Sequence, residues 1–315
     1  MAGIVYGAPY VPPSAPVDQF DALMMTWTGW DGSVWDLTDP SAGVFLRKEG
    51  VEGLGSPEWQ HWTKKSPAIA GQRHTGSIAQ ERKVFWPVFL YHDSSSMDWV
   101  YLDRAFWHSL DPDMPGTWTV SLPDGSSRYL PCRFESTTDS YVLDPVRHGW
   151  ASYGISLTAD DTFWRGPTVS QSWTNATPRS FFNAPGRATP FQITSASTMA
   201  TAAIPNPGDE DAWPVWTIVG PATLATVGVG SSVVSIPFEI PDGKAVVVDT
   251  DPTEQLALYG DWDGARVTNA VDRTVDLGSA SFAPIPRGTS VPLNISLTGS
   301  GYIRADINPR YRRAW

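Results

Sequence analysis

The residues able to do chemistry are few and scattered. All five histidines (His61, His74, His92, His108 and His148) lie in the first half of the 315-residue chain, and none stands at HxH or HExxH spacing. A histidine-based metal site therefore has no local signal, and no GxSxG elbow marks a hydrolase nucleophile. The single cysteine, Cys132, can form neither an internal disulfide nor a Cys-rich zinc site. Within SRYLPCRF it reads as a small, partly buried hydrophobe on a strand.

Carboxylates offer more. They cluster at Asp160-Asp161, Asp209-Glu210-Asp211, Asp249/Asp251 and Asp261/Asp263. A glycosidase needs two such groups facing across a cleft, which spacing along the chain does not reveal. DTDP at 249–252 and DWDG at 261–264 look like pieces of calcium loops, but the remaining EF-hand ligand positions are missing. In turns an aspartate ordinarily accepts from nearby backbone amides, and that is the expected role here. Trp262, flanked by Asp261 and Asp263, is the natural stacking platform if the chain binds a glycan. Gly50, Gly53 and Gly55 are not followed by a strand–helix pair, so they do not form a nucleotide loop. No cofactor is called for.

Positioning these residues falls to a chain long enough for about two domains. Its net charge is −11, with 12 basic and 20 acidic side chains in residues 1–173 and 10 and 13 in residues 174–315. Neither half carries the basic stripe that displaces counterions from nucleic acid, so specific nucleic-acid binding is not expected. No run of about 18 apolar residues occurs and the start lacks a signal-peptide pattern, so the expected chain has no membrane anchor and folds in a cytoplasm.

The 28 prolines and 27 glycines punctuate short apolar runs, the pattern of strands and turns. FDALMMTWTGWDGSVWDLT reads as a hairpin about Asp31-Gly32, and TWTVSLPDGSSRYLPCRF as another about Pro123-Asp124-Gly125. KVFWPVFLYH is a strand. One helix follows it, with Ser96 or Asp98 as N-cap, an apolar stripe of Trp99, Leu102, Phe106 and Leu110, and a stop at Asp111-Pro112. GWASYGISLTADDTFW is a long strand with one buried face. Residues 174–187 form a Pro/Ser/Thr/Asn-rich linker, after which FQITSA, PVWTIVG, ATLATVGVG, SVVSIPFEI, KAVVVDT, SVPLNISLT and YIRADI suggest a β-sandwich over 188–315.

Twelve of the sixteen tryptophans fall in residues 1–173, more than a core of that size ordinarily takes, so some are expected to anchor subunit contacts. The strands richest in aromatics and poorest in charge, KVFWPVFLYH and the one ending at Trp35, are read as open edges awaiting a partner. Interface candidates are accordingly Trp35, Trp86 and Val88, the pair Arg104 and His108 one turn apart on the helix, and Arg312, Arg313 and Trp315. The last three belong to RYRRAW, which is expected to dock on its own N-terminal domain or on a neighbouring subunit.

RKVFWPVFLYH, then WVYLDRAFWHSLDP, GTWTVSLPDGSSRYLPCRF and GWASYGISLTADDTFWRG, and later NPGDEDAWPVWTIVGPAT, VDTDP, APIP and RYRRAW, follow one another in an order that resembles the siphophage distal tail family. The likeness is strongest to minor tail proteins of actinobacterial phages and covers roughly residues 20–315. Relatives often read Asp-Pro where this chain has Asp161-Thr162. The resemblance implies a mainly β chain: an N-terminal belt domain with one helix (1–173), the linker, and a galectin-like β-sandwich. It also implies a homo-oligomeric ring, a hexamer, in the virion tail. Such a ring would join the tail tube protein to baseplate or fibre proteins, with tape measure and DNA passing through its lumen and no catalysis. Two rivals stay open at this point: a carbohydrate-binding sandwich centred on Trp262, and a glycoside hydrolase.

Overall fold

The computed structural model describes residues 22–68, 70–138, 144–175 and 198–315. FQITSA and most of the expected linker lie outside the described residues. The chain is mainly β, in two units.

In the first unit β1 (Met24–Thr28) and β2 (Val34–Asp36) form the expected hairpin. Gly32 supplies the positive φ, and the Asp31 carboxylate accepts from the Ser33 amide and hydroxyl. β3 (Val44–Leu46) follows, then β4 (Trp59–Lys64) and β5 (Arg73–Ala79), which pair only with each other. β6 (Arg82–Tyr91), helix α1 (Ser96–His108), β7 (Gly116–Ser121) and β8 (Ser127–Thr138) come next. A one-turn helix α2 (Pro145–His148) leads to β9 (Trp150–Ala159) and the short β10 (Trp164–Arg165). The strand order is β2-β1-β7-β8-β9-β6-β3, and the two ends of that sheet meet where the Leu46 amide donates to the Leu37 carbonyl at 2.8 Å. The sheet is a nearly closed barrel.

Alternation along each strand sends one set of side chains inward. Val84, Trp86, Val88 and Leu90 of β6 face Ile155 and Leu157 of β9 inside the barrel. Trp27, Trp86, Trp118 and Trp164 run through that core with successive ring centroids 5.2, 5.3 and 5.0 Å apart, edge-to-face or tilted as the aromatic quadrupole favours. α1 covers one end. Ser95 caps it, one residue before the expected cap, accepting from the Asp98 amide while its hydroxyl donates to the Asp98 carboxylate. Trp99, Phe106 and Leu110 of the expected stripe are buried.

β6 is therefore not an edge strand. It lies between β9 and β3, and Trp86 and Val88 are both 0% exposed. As subunit-interface candidates these two are corrected: they are core. The misleading mark is a strand rich in aromatics and poor in charge, which describes a buried central strand as well as an open edge; Pro87 is accommodated despite the usual confinement of proline to edges. Here β3 ends beside it: Leu46 pairs with Val88, Arg47 donates to the Pro87 carbonyl, and pairing resumes at Glu52–Phe85. The missing N–H thus costs little.

The second unit begins with β11 (Val169–Thr174), a strand that runs across the expected boundary at residue 173 and pairs wholly with the second sheet. The others are β12 (Ala203–Pro205), β13 (Val215–Val219), β14 (Ala222–Val229), β15 (Ser232–Ile236), β16 (Lys244–Asp249), β17 (Ala257–Trp262) and β18 (Val267–Asp272). Then come β19 (Ser290–Pro292), β20 (Ser296–Gly299), β21 (Tyr302–Ile307) and β22 (Arg310–Tyr311). A six-stranded sheet, β11-β21-β13-β16-β17-β18, packs on a three-stranded one, β15-β14-β20, around a single apolar cluster that includes Trp216, Ile218, Val227, Val246 and Ile303. β22 leaves this unit and pairs with β10 of the first. No helix among the described residues is long and apolar enough to cross a membrane.

Candidate functional site

The charged chemistry of the chain concentrates where the two units and the C-terminal segment meet. At its centre is Arg82, the first residue of β6, only 2% exposed. Its guanidinium donates to four carbonyls: Thr162 (2.7 Å), Gly53 (2.6 Å), Gly55 (2.5 Å) and Arg312 (2.8 Å). The planar fork of arginine suits such an array of acceptors in a way a lysine ammonium does not. Burial pushes its pKa down to about 10, so it still carries its charge at neutral pH.

Around this staple the C-terminal residues are fastened one by one. Trp164 pairs with Tyr311, whose ring lies 3.7 Å beneath the Arg128 guanidinium, while Arg128 also donates to the Arg313 carbonyl. Arg312 bonds Glu210 at 2.6 Å and stands over the Trp59 ring. The Ala314 amide donates to Leu54, and Ala314 is buried in the barrel core. Arg310 bonds Asp251 at 2.7 Å. Although burial pushes the Asp251 carboxyl up, bonds from Thr253 and the Arg310 charge hold it below its usual range. RYRRAW thus docks on its own first unit, as one of the two expected placements had it. Of its interface candidates Arg312 is committed within the chain, Arg313 is exposed beside Trp315, and Trp315 is 42% exposed.

An open groove of about 740 Å³ runs along this junction, walled by Trp59, Phe163, Trp213, Asp161, Asp251 and Arg310. Its ionised groups are spoken for: Arg165 bonds Asp161 at 2.8 Å, and Arg310 bonds Asp251. Two further carboxylates, Asp160 and Glu210, line it as well, paired with Arg133 and Arg312. No group of three or more His, Cys, Asp or Glu side chains among the described residues holds metal-binding geometry.

The candidates around Trp262 are engaged in turn and strand chemistry. Asp261 accepts from Asn269 at 2.9 Å and pairs with Lys244, and these contacts hold its carboxyl below the usual range. Asp263 accepts from the amides of Ala265 and Arg266 at 2.8 Å each, closing the β17–β18 turn. Trp262 itself is half-buried on β17. Burial pushes the Cys132 thiol well up, as befits an inert core residue.

The remaining interface candidates lie at the helical end of the barrel. Trp35 is half-buried and sits edge-on to Phe106. Arg104 and His108 are exposed, and His108 is edge-on to Trp30, whose indole N–H donates to the His108 carbonyl. The sequence reading missed Arg82 and the β4–β5 hairpin. A single arginine before an apolar strand carries no local mark of burial. The hairpin's local signal is weak: Trp59 and Trp62 are three residues apart and so fall on opposite faces of the strand, leaving only Gly71, with its positive φ, to mark the return.

The fold is that of a barrel joined to a β-sandwich, with the C-terminal strand crossing back to the barrel. One solved relative in structure is the Dit protein (gp 19.1) of phage SPP1, described as a paradigm of the hub adsorption apparatus in phages that infect Gram-positive hosts. The TM-score is 0.59 at 14% identity, covering 91% of this chain and 98% of that one. A chain of the phage P2 baseplate in its activated conformation with calcium gives a TM-score of 0.54 at 12% identity, with the same coverage. No family model matches the chain, and no curated protein matches it.

Proposed function

We propose that this chain is a structural component of a phage tail tip. Its first unit closes into a homo-oligomeric ring, a hexamer, that joins the tail tube to baseplate or receptor-binding proteins, with tape measure and DNA passing through the lumen. The supporting observation is the likeness to the SPP1 hub protein, which spans both units in order and leaves almost none of that chain unmatched. Domain limits follow the sheets: the barrel runs to residue 165, and the sandwich begins at β11. The role is non-enzymatic. The carboxylates that a glycosidase would use, Asp161, Asp251, Asp261 and Asp263, each serve an ion pair or a turn instead. The net charge of −11 suits a conduit past which DNA slides without sticking.

Native mass spectrometry and negative-stain imaging of the full chain, alone and with its tail tube protein, test this. Closed rings are the expected outcome. A chain that stays monomeric at every concentration, with and without tube protein, refutes the ring.

A further inference from the structure

The β4–β5 hairpin brings together two histidines that no spacing along the chain would pair. His61 on β4 and His74 on β5 have ring centroids 5.6 Å apart, with 64° between the ring planes. Their meeting depends on an irregularity in the ladder. From Trp59–Ala79 to Trp62–Gly76 the strands keep one antiparallel register, but the next pair is Thr63–His74, which leaves Thr75 as an extra residue. The Thr75 hydroxyl donates to the Trp62 carbonyl at 2.9 Å and pins this bulge. An unbroken ladder would set His74 opposite Lys64, on the face that carries Trp62. The extra residue sets it opposite Thr63 instead, on the face of His61.

Strand alternation also keeps positive charge away from the pair. Lys64 pairs with Arg73 on the Trp62 side, together with Gln60 and Ile78. The other side carries both histidines, with Thr63 opposite His74 and Ser77 opposite His61. Both imidazoles are exposed, and neither hydrogen-bonds to another described residue, so their nitrogens are free to ligate. His92 and His108 differ: His92 Nδ1 accepts from the Ser94 amide, and the His108 ring lies edge-on to Trp30.

We propose that His61 and His74 form a binding site for a divalent late first-row transition ion of the zinc class, held between β4 and β5. Imidazole ligates zinc, nickel and copper, whereas calcium and magnesium take oxygen ligands. At nitrogen–metal distances of about 2.0–2.1 Å, two imidazoles on one tetrahedral ion have ring centres roughly 5 Å apart. The observed separation lies a small side-chain rotation away from that, and both side chains are free in solvent to make it. Two protein ligands leave the other positions to water, so the site is an exchangeable clasp and not a closed structural centre. A two-stranded sheet is marginal in water, and an ion that binds only the paired strands stabilises their pairing by mass action. The inference stands apart from the ring reading above.

The test titrates zinc chloride into the metal-free full chain by isothermal calorimetry and follows hydrogen exchange of the hairpin amides in parallel. One equivalent of zinc per chain is expected, with slower exchange along β4 and β5 on binding. His61→Ala and His74→Ala should each weaken binding by about tenfold or more, since even an outer-shell partner of a metal ligand is worth that much. His92→Ala and His148→Ala should leave it unchanged. The double variant Arg73→His with His74→Ala keeps two histidines in the hairpin but sets the second on the Lys64 side, and should bind no better than His74→Ala. Zinc binding that is unchanged in both alanine variants, or restored by the double variant, overturns the site. So does a wild type that takes up no zinc at millimolar metal, or whose hairpin exchange zinc does not slow. Calcium chloride competing equally with zinc would mark a carboxylate site and sink the proposal as well.

Discussion

Replacing Arg82 should loosen the C-terminal segment and the barrel together. Its guanidinium serves four carbonyls on three stretches of chain: the 53–55 loop, Thr162 and Arg312. In Arg82→Met those carbonyls lose their donor, at about 1–3 kcal/mol for each that water does not reach. Against this, the variant escapes the cost of burying an unpaired charge, several kcal/mol on the same order-of-magnitude scale. Because the acceptors are already fixed around the cavity by other strands, the loss should dominate, with a net destabilisation of roughly 3–5 kcal/mol. Arg82→Lys offers three donors from a single point, so at least one carbonyl is left bare, at roughly 1–3 kcal/mol. Urea unfolding followed by tryptophan fluorescence measures both. Hydrogen exchange at the Ala314 amide, which donates to Leu54, reports separately on release of the tail. If both variants keep the wild-type midpoint and Ala314 stays protected, the staple is not what holds these segments.

Deleting residues 310–315 should destabilise the barrel by roughly 2–4 kcal/mol, and by much less in the Arg82→Met background, since both changes remove the same contact. Val88→Asp should unfold the barrel rather than merely block assembly, because it places a carboxylate at a 0% exposed core position; circular dichroism of the isolated variant would show it. Burial pushes the Asp103 carboxyl above its ordinary 3.8, against bonds from Tyr153 and Trp107 that favour the ionised form. A raised carboxyl contributes stability below its unfolded pKa and loses it as pH climbs through the folded value. Asp103→Asn should therefore raise the melting temperature at pH 7 relative to wild type and leave that at pH 3 nearly unchanged.

Local pattern carried much of the fold into the sequence. The β1–β2 turn is legible because Asp31-Gly32 meets a specific dihedral demand, and α1 because Trp99, Phe106 and Leu110 recur on one face and are buried. What was not legible is closure. Whether a strand is an edge depends on what arrives beside it from far along the chain, and β6 receives β9 from some 70 residues downstream. Pro87 is tolerated within that strand because β3 stops beside it, where its missing amide leaves no carbonyl of β3 without a partner. The aromatic surplus misled for a related reason. A barrel interior lined by four tryptophans absorbs rings that a count of residues assigns to the surface.

Closure also decides what kind of contact this chain can make. With β2 and β3 bonded through Leu37 and Leu46, the barrel presents no long row of free amides, and strand addition to it is closed off. In the first unit the long unpaired edges belong to β4 and β5, on the hairpin where Lys64, Lys65 and Arg73 guard them. Charged edges of that sort discourage indiscriminate pairing. The positions first suspected, Trp86 and Val88, hold the barrel shut, both buried in its core.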